Sequence, residues 1–164
     1  MSQLPSGETD EFEFKSSRIK NKDQLKDDIC RAVSAFANSG GGTFVAGVDD
    51  SGTPDGGLSI DIGNTKLCDW VDKVVLNVVP TPNYEIKFGV ASDGRGRIDD
   101  DRKVLVVLVK ESTIGPHMAH DNKYYIRAGT HTEPSRHFLV EAIWAKRHLL
   151  KPRIAHVVRP RAYP

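Results

Sequence analysis

The apolar residues of this chain recur in two rhythms. Residues 11–15, Glu-Phe-Glu-Phe-Lys, alternate with period two, which predicts a strand turning Phe12 and Phe14 to a core and Glu11, Glu13 and Lys15 the other way. From about Asp23 to Asn38 the period lengthens. Leu25, Ile29, Val33 and Phe36 fall three and four apart, one face of an amphipathic helix with Asp23 as N-cap and Gly40-Gly41-Gly42 as its stop. Residues 43–48 read as a short apolar strand that ends in a turn at Asp49-Asp50-Ser51-Gly52. A second helix over 65–79 carries Leu67, Val71, Val74, Val75 and Val78 and is closed by Pro80-Thr81-Pro82. Tyr84, Ile86, Phe88 and Val90 alternate, a strand with one covered face. Val104 to Val109 is apolar at every position, which predicts a central strand buried on both faces. Residues 111–122 are loop-like and 123–128 form another strand. Pro134, placed in a first turn, opens a third helix carrying Phe138, Leu139, Ala142, Ile143 and Leu149.

This order predicts an α+β fold, a two-layer sandwich with a mixed sheet and about three helices. At 164 residues the chain fits one domain able to bury a core without disulfides or metal. Residues 1–10 read as an N-terminal tail, 11–150 as the domain, and 151–164 as a basic tail containing Pro152, Pro160 and Pro164. Lys and Arg number 23 against 22 Asp and Glu, so any binding of nucleic acid has to come from a local basic patch rather than bulk charge. Cys30 and Cys68 exclude a disulfide framework and a Cys-rich zinc module, and read as buried reduced thiols. No apolar run is long enough to cross a bilayer, and Met1 to Pro5 lack the basic start and apolar stretch of a signal peptide. The expectation is a cytoplasmic chain with no membrane partner.

Three groups of residues are candidates for chemistry. Of the carboxylates Glu8, Glu11, Glu13, Asp49 and Asp50, three would converge if the strands 11–15 and 43–48 are neighbours. Such a set holds Mg²⁺ or Mn²⁺, which favour oxygen ligands and would activate a water against a phosphodiester. Spacing alone favours the plainer reading of solvated surface acids. The loop Asn38-Ser39-Gly40-Gly41-Gly42-Thr43 would let backbone N–H groups approach a phosphate. It lacks the Lys-Ser/Thr of a P-loop, and a helix stop followed by a tight strand start accounts for two of its glycines. The histidines His117, His120, His131 and His137 match no standard zinc spacing and read as solvated loop residues. Lys15, Arg18, Lys20 and Lys22 gather near the first helix, and Lys123 and Arg127 on the late strand. With the tail they supply phosphate contacts, and Tyr124 and Tyr125 are the best stacking groups.

The segments Glu8-Thr9-Asp10-Glu11-Phe12-Glu13-Phe14-Lys15, Ala35-Phe36-Ala37-Asn38-Ser39-Gly40-Gly41-Gly42 and Gly47-Val48-Asp49-Asp50-Ser51-Gly52, followed by Lys123-Tyr124-Tyr125-Ile126-Arg127-Ala128-Gly129-Thr130, together resemble the Schlafen-type AlbA domain from about residue 8 to 148. The resemblance implies that family's fold. Matched to the family's metal-dependent nucleases, it implies Glu8, Glu13 and Asp50 as the catalytic and metal-binding carboxylates for structured, tRNA-like RNA, with Lys15 and Arg127 on the phosphates. It also implies a homodimer, because the Schlafen core builds its cleft from two related lobes and this chain has one. Other members are known only as DNA- or RNA-binding or ATP-binding regulatory modules. That alternative would use Asn38, Ser39, Gly40 and Gly41 at a nucleotide, and a protein-interaction domain is a further alternative.

Overall fold

The computed structural model describes Pro5 and residues 7–19, 21–89 and 96–157, with side chains as far as Arg147. In chain order the elements are β1 (Phe12–Lys15), α1 (Lys22–Ser39), β2 (Gly41–Ala46), β3 (Asp55–Gly56), β4 (Leu58–Ser59), β5 (Asp61–Ile62), β6 (Thr65–Lys66) and α2 (Leu67–Val75). There follow β7 (Tyr84–Gly89), β8 (Arg97–Ile98), β9 (Arg102–Lys110), β10 (Tyr125–Ala128), β11 (His131–Pro134) and α3 (His137–Val157). The main sheet is mixed. β1 pairs in parallel with β2, β2 antiparallel with β9, and β9 antiparallel with β7 and, at its start, with β4. The α+β architecture expected from the sequence is therefore present.

Helix α1 forms because its capping and its apolar stripe agree. The Asn21 carboxamide oxygen accepts from the Gln24 N–H at 2.8 Å, so Asn21 is the N-cap, two residues ahead of the expected Asp23. Gly40 closes the helix in the left-handed conformation, φ 116°, and its N–H returns to the Phe36 carbonyl. The predicted stripe of Leu25, Ile29, Val33 and Phe36 is buried, and so are Cys30, Ala32, Ala35 and Ala37. The helix is thus enclosed well beyond one face. The main core joins α1 to Leu67, Val71, Val74, Val75 and Val78 of the α2 region and to Leu105, Val107 and Val109 of β9.

Strand β9 lies between β2 and β7, the central position its apolar run predicted. Its two faces are not equally covered. Leu105, Val107 and Val109 enter the main core, while Val106 is only half-buried against a smaller cluster of Phe14, Val45, Val48 and Val104. A further departure lies at β11. Residues 131–134 pair antiparallel with β10 as a hairpin, so Pro134 ends a strand and α3 begins at His137. That helix continues past Lys151, where the sequence placed the start of a basic tail. Val90 and Lys20 lie outside the described residues.

Candidate functional site

Strand β1 is an edge strand whose outer rim is closed by side chains and by the segment before it. Alternation turns Phe14 to the smaller core and Glu13 to the opposite face. The Phe14 N–H, which points away from β2, donates to Glu8 Oε1 at 3.0 Å. Thr9 and Phe12 exchange backbone hydrogen bonds at 3.2 and 3.3 Å. Residues 8–10, expected in a tail, therefore belong to the fold.

Glu13 is 7% exposed and fully engaged. Its Oε1 meets Lys15 Nζ at 3.1 Å, and its Oε2 accepts from Arg127 Nη1 at 2.8 Å and from the Thr132 hydroxyl at 2.7 Å. The Arg127 side chain, 3% exposed, uses its remaining donors on the Thr132 hydroxyl at 2.8 Å and on the carbonyls of Thr9, Asp10 and Thr130, at 2.7, 3.3 and 2.9 Å. It also lies 5.0 Å from the centre of the Phe36 ring. Arg127 thus fastens the β10–β11 hairpin to β1. The expected phosphate contact is corrected accordingly, since a guanidinium this enclosed has no donor to offer a ligand.

Beside this ion pair is an open cavity of about 220 Å³ lined by Glu8, Glu13, Lys15, Asp28, Arg31, Thr130, His131 and Thr132. Burial lowers the Lys15 pKa, but Glu13, with Asp28 and Glu8, outweighs it and the ammonium ends above its ordinary value. Burial, aided by Glu13, raises the Asp28 carboxyl, against the pull of Lys15 and Arg31. Arg31 is 44% exposed in its side chain, lies 5.8 Å from the Tyr125 ring centre, and has Asp121 only at 3.9 Å. Asp28 and Arg31 escaped the sequence reading. Their one signal was a three-residue spacing on the polar side of α1, which any solvated helix shows.

Asp50 is exposed and is not among the residues lining this cavity. The turn it occupies is held by Asp49, whose Oδ1 accepts from the Ser51 N–H, the Ser51 hydroxyl and the Thr53 N–H at 2.9, 2.6 and 3.0 Å. These bonds, that of the Ser51 hydroxyl foremost, depress the Asp49 pKa. The turn packs Gly52 against the Phe14 ring, the side of β1 opposite to Glu13. Among the described residues no group of three His, Cys, Asp or Glu side chains is placed to hold a metal ion. The donor set as arranged does not fit Mg²⁺ or Mn²⁺, since both Glu13 oxygens are taken and Asp50 lies elsewhere.

The remaining candidates are also placed. The Asn38 carboxamide donates to the His117 and Tyr125 carbonyls, each at 3.0 Å, and accepts from the His117 N–H at 2.9 Å. The Ser39 hydroxyl accepts from the Arg127 N–H at 2.9 Å. Gly40 is the cap, Gly41 lies tight against Val109 and Glu111, and a Cβ on Gly42 would fall 2.1 Å from Phe36 Cδ1. The loop is spent on the fold, which corrects the nucleotide-loop reading. His117 is fully buried rather than solvated, with Nδ1 on the Pro80 carbonyl, and His120 pairs with Asp27 at 2.9 Å. Tyr125 is buried and donates to Asp121 at 2.6 Å, so it offers no free ring for stacking. Burial and that bond push its hydroxyl up to about 12. Cys30 is buried as expected, its thiol pushed up to about 11 by burial, whereas Cys68 is only half-buried. Arg18 and Lys123 are exposed, and Lys20 is outside the described residues.

A mixed sheet backed by helices, with a polar cavity at a capped edge strand, defines the class as an α+β domain. Comparison then gives the family: the Schlafen, AlbA_2 family model matches residues 8–136, and the chain belongs to that family. The family carries a nucleic-acid-related function at its own level. No curated protein matches the chain. Among solved structures it is similar to the DIP2311 protein from Corynebacterium diphtheriae, with a TM-score of 0.51 and 18% identity over 77% of this chain, a likeness of fold. The chain spans 25% of that protein's length. No helix among the described residues is long and apolar enough to cross a membrane.

Proposed function

We propose that this domain binds nucleic acid, RNA or DNA, through the backbone phosphates and without a metal-dependent step. Family membership over residues 8–136 carries the reading. The cavity beside β1 supports its location, because Arg31 stands at the rim with its nearest acid at 3.9 Å, unlike the saturated Arg127. Lys15 adds a second positive charge, partly drawn by Glu13, and the exposed Arg18 and Lys123 extend the contacts outside it. The donor set argues for binding in preference to cleavage, since removing Glu13 from its three partners to free it for a metal would leave Arg127 buried without its counter-charge.

Fluorescence anisotropy with labelled single-stranded RNA and DNA across a salt series tests this. Affinity is expected to fall linearly on logarithmic axes, and Arg31→Ala to weaken binding and reduce the slope by about one. Binding that ignores salt, or an Arg31→Ala protein that binds unchanged, would overturn the assignment. Transfer RNA incubated with Mn²⁺ is expected to remain intact. Metal-dependent fragments that disappear in Glu8→Ala would replace this reading with the nuclease.

A further inference from the structure

The two edges of the main sheet are treated differently. The rim of β1 is sealed by Glu8, Thr9 and Arg127. The opposite edge is β7, which among the described residues has β9 as its one strand neighbour. The Lys110 N–H donates to the Asn83 carbonyl at 3.0 Å, which fixes the phase of the ladder. Glu85, Lys87 and Gly89 therefore direct their backbone groups at β9, and Tyr84, Ile86 and Phe88 direct theirs at the open edge.

The sequence of this edge, Tyr84-Glu85-Ile86-Lys87-Phe88, is complementary to itself when reversed about Ile86. We propose that β7 pairs antiparallel with β7 of a second copy, joining two sheets across a two-fold axis that passes by Ile86. In that register Ile86 faces the second copy's Ile86 and exchanges both backbone hydrogen bonds with it. Tyr84 faces the second copy's Phe88 in the same kind of pair. Glu85 faces the second copy's Lys87 at the positions between, where side chains of an antiparallel pair approach most closely. Glu85 and Lys87 are 59% and 55% exposed and lie 3.3 Å apart within one chain, so pairing exchanges one neighbour for another of the same charge. Tyr84, Ile86 and Phe88 are half-buried against the main core, and the second copy extends that apolar layer across the seam. Each of residues 84–88 meets a suitable partner in the second copy, the condition for a closed two-fold interface. A charged edge strand ordinarily repels other strands, and here a slip of two residues either way would set Glu85 opposite Glu85 or Lys87 opposite Lys87. The proposal stands independently of nucleic-acid binding.

Sedimentation equilibrium of the full chain tests it. The wild type is expected at twice the 18.1 kDa chain mass at tens of micromolar. Lys87→Glu sets like charges opposite each other and is expected to weaken the dimer by about tenfold or more. The double variant Glu85→Lys, Lys87→Glu restores opposite charges and is expected to recover it. Hydrogen exchange supplies a second reading, as the amides of Tyr84, Ile86 and Phe88 become protected with rising concentration while those of Glu85 and Lys87 stay protected throughout. A wild type that remains monomeric at hundreds of micromolar overturns the proposal. So does a dimer indifferent to Lys87→Glu, or one that the double variant fails to restore.

Discussion

Arg127 is the residue on which the site turns. It lies 114 positions from Glu13 in sequence, yet the two are 2.8 Å apart and both nearly sealed from water. Removing one member of such a pair leaves the other buried without its counter-charge, which costs about 3–5 kcal/mol. Arg127→Ala is expected to lose that much in urea unfolding, and Glu13→Ala a similar amount. Arg127→Lys keeps the charge but loses the fork that reaches Glu13 and the 9–10 carbonyls together, so it recovers only part. The sequence motifs pointed to both residues as important. They could not show that the two bind each other, because pairing across 114 positions exists only after the hairpin folds back on β1. His117 makes a second case at this scale. Its spacing suggested a solvated loop, but burial holds its pKa below the ordinary 6.5, so the folded state favours the neutral ring. The unfolded chain then binds more protons below pH 6.5, and stability falls as the pH drops through that value toward the folded pKa. The difference in unfolding midpoint between wild type and His117→Gln is expected to shrink from pH 7.5 to pH 5.5.

Among the elements, α1 was the most legible, because a long amphipathic period with a glycine stop has few other readings. Its polar residues were not legible. Ser34 and Asn38 sit within the buried length of the helix and bind the segment from His117 to Tyr125 along it. A sequence pattern shows that such residues interrupt an apolar face, but not which backbone they satisfy. Asn38→Ala strands the His117 N–H and the Tyr125 carbonyl, while the His117 carbonyl keeps the Ser34 hydroxyl, and is expected to cost about 3 kcal/mol in unfolding free energy at an unpaired-group cost of about 1–3 each. Its nucleic-acid affinity, measured on the folded variant, is expected to match the wild type. A large loss of affinity with little loss of stability would return the loop to a ligand-binding role. Strand β11 escaped notice for a different reason. His131-Thr132-Glu133-Pro134 carries no apolar alternation, and a proline at a hairpin's end costs little, so the strand is visible only through its pairing with β10.

For the whole molecule, the order of strands and helices was readable because each amphipathic segment has to bury its stripe against the next. The side of the sheet on which each carboxylate falls was not, so the expected convergence of three carboxylates fails: β1 and the 49–52 turn meet on the Phe14 face rather than the Glu13 face. Helix α3 carries this further, since its apolar residues as far as Arg147 do not form one covered side. Leu139, Val140 and Ile143 are half-buried, Phe138 and Trp144 are 60% and 54% exposed, and the firm attachment is polar. Arg147, 7% exposed, donates to the Ala37 carbonyl near the end of α1 at 2.9 Å and to the Ile114 carbonyl at 2.8 Å. A cation at that helix terminus meets the negative end of its dipole, and the burial that supports the contact also lowers the Arg147 pKa. If this contact seats α3, Arg147→Ala releases the helix without opening the main core, to which the described side chains of α3, residues 137–147, contribute no buried residue. Amides of residues 138–147 are then expected to exchange faster while those of β9 and α1 keep their protection, the pattern of local opening. Trp144 emission is expected to shift to the red, with Trp70 as the internal reference in the Trp144→Phe background. Equal acceleration across β9 and α3 would instead place α3 within the cooperative unit, with Arg147 holding the whole fold rather than one helix.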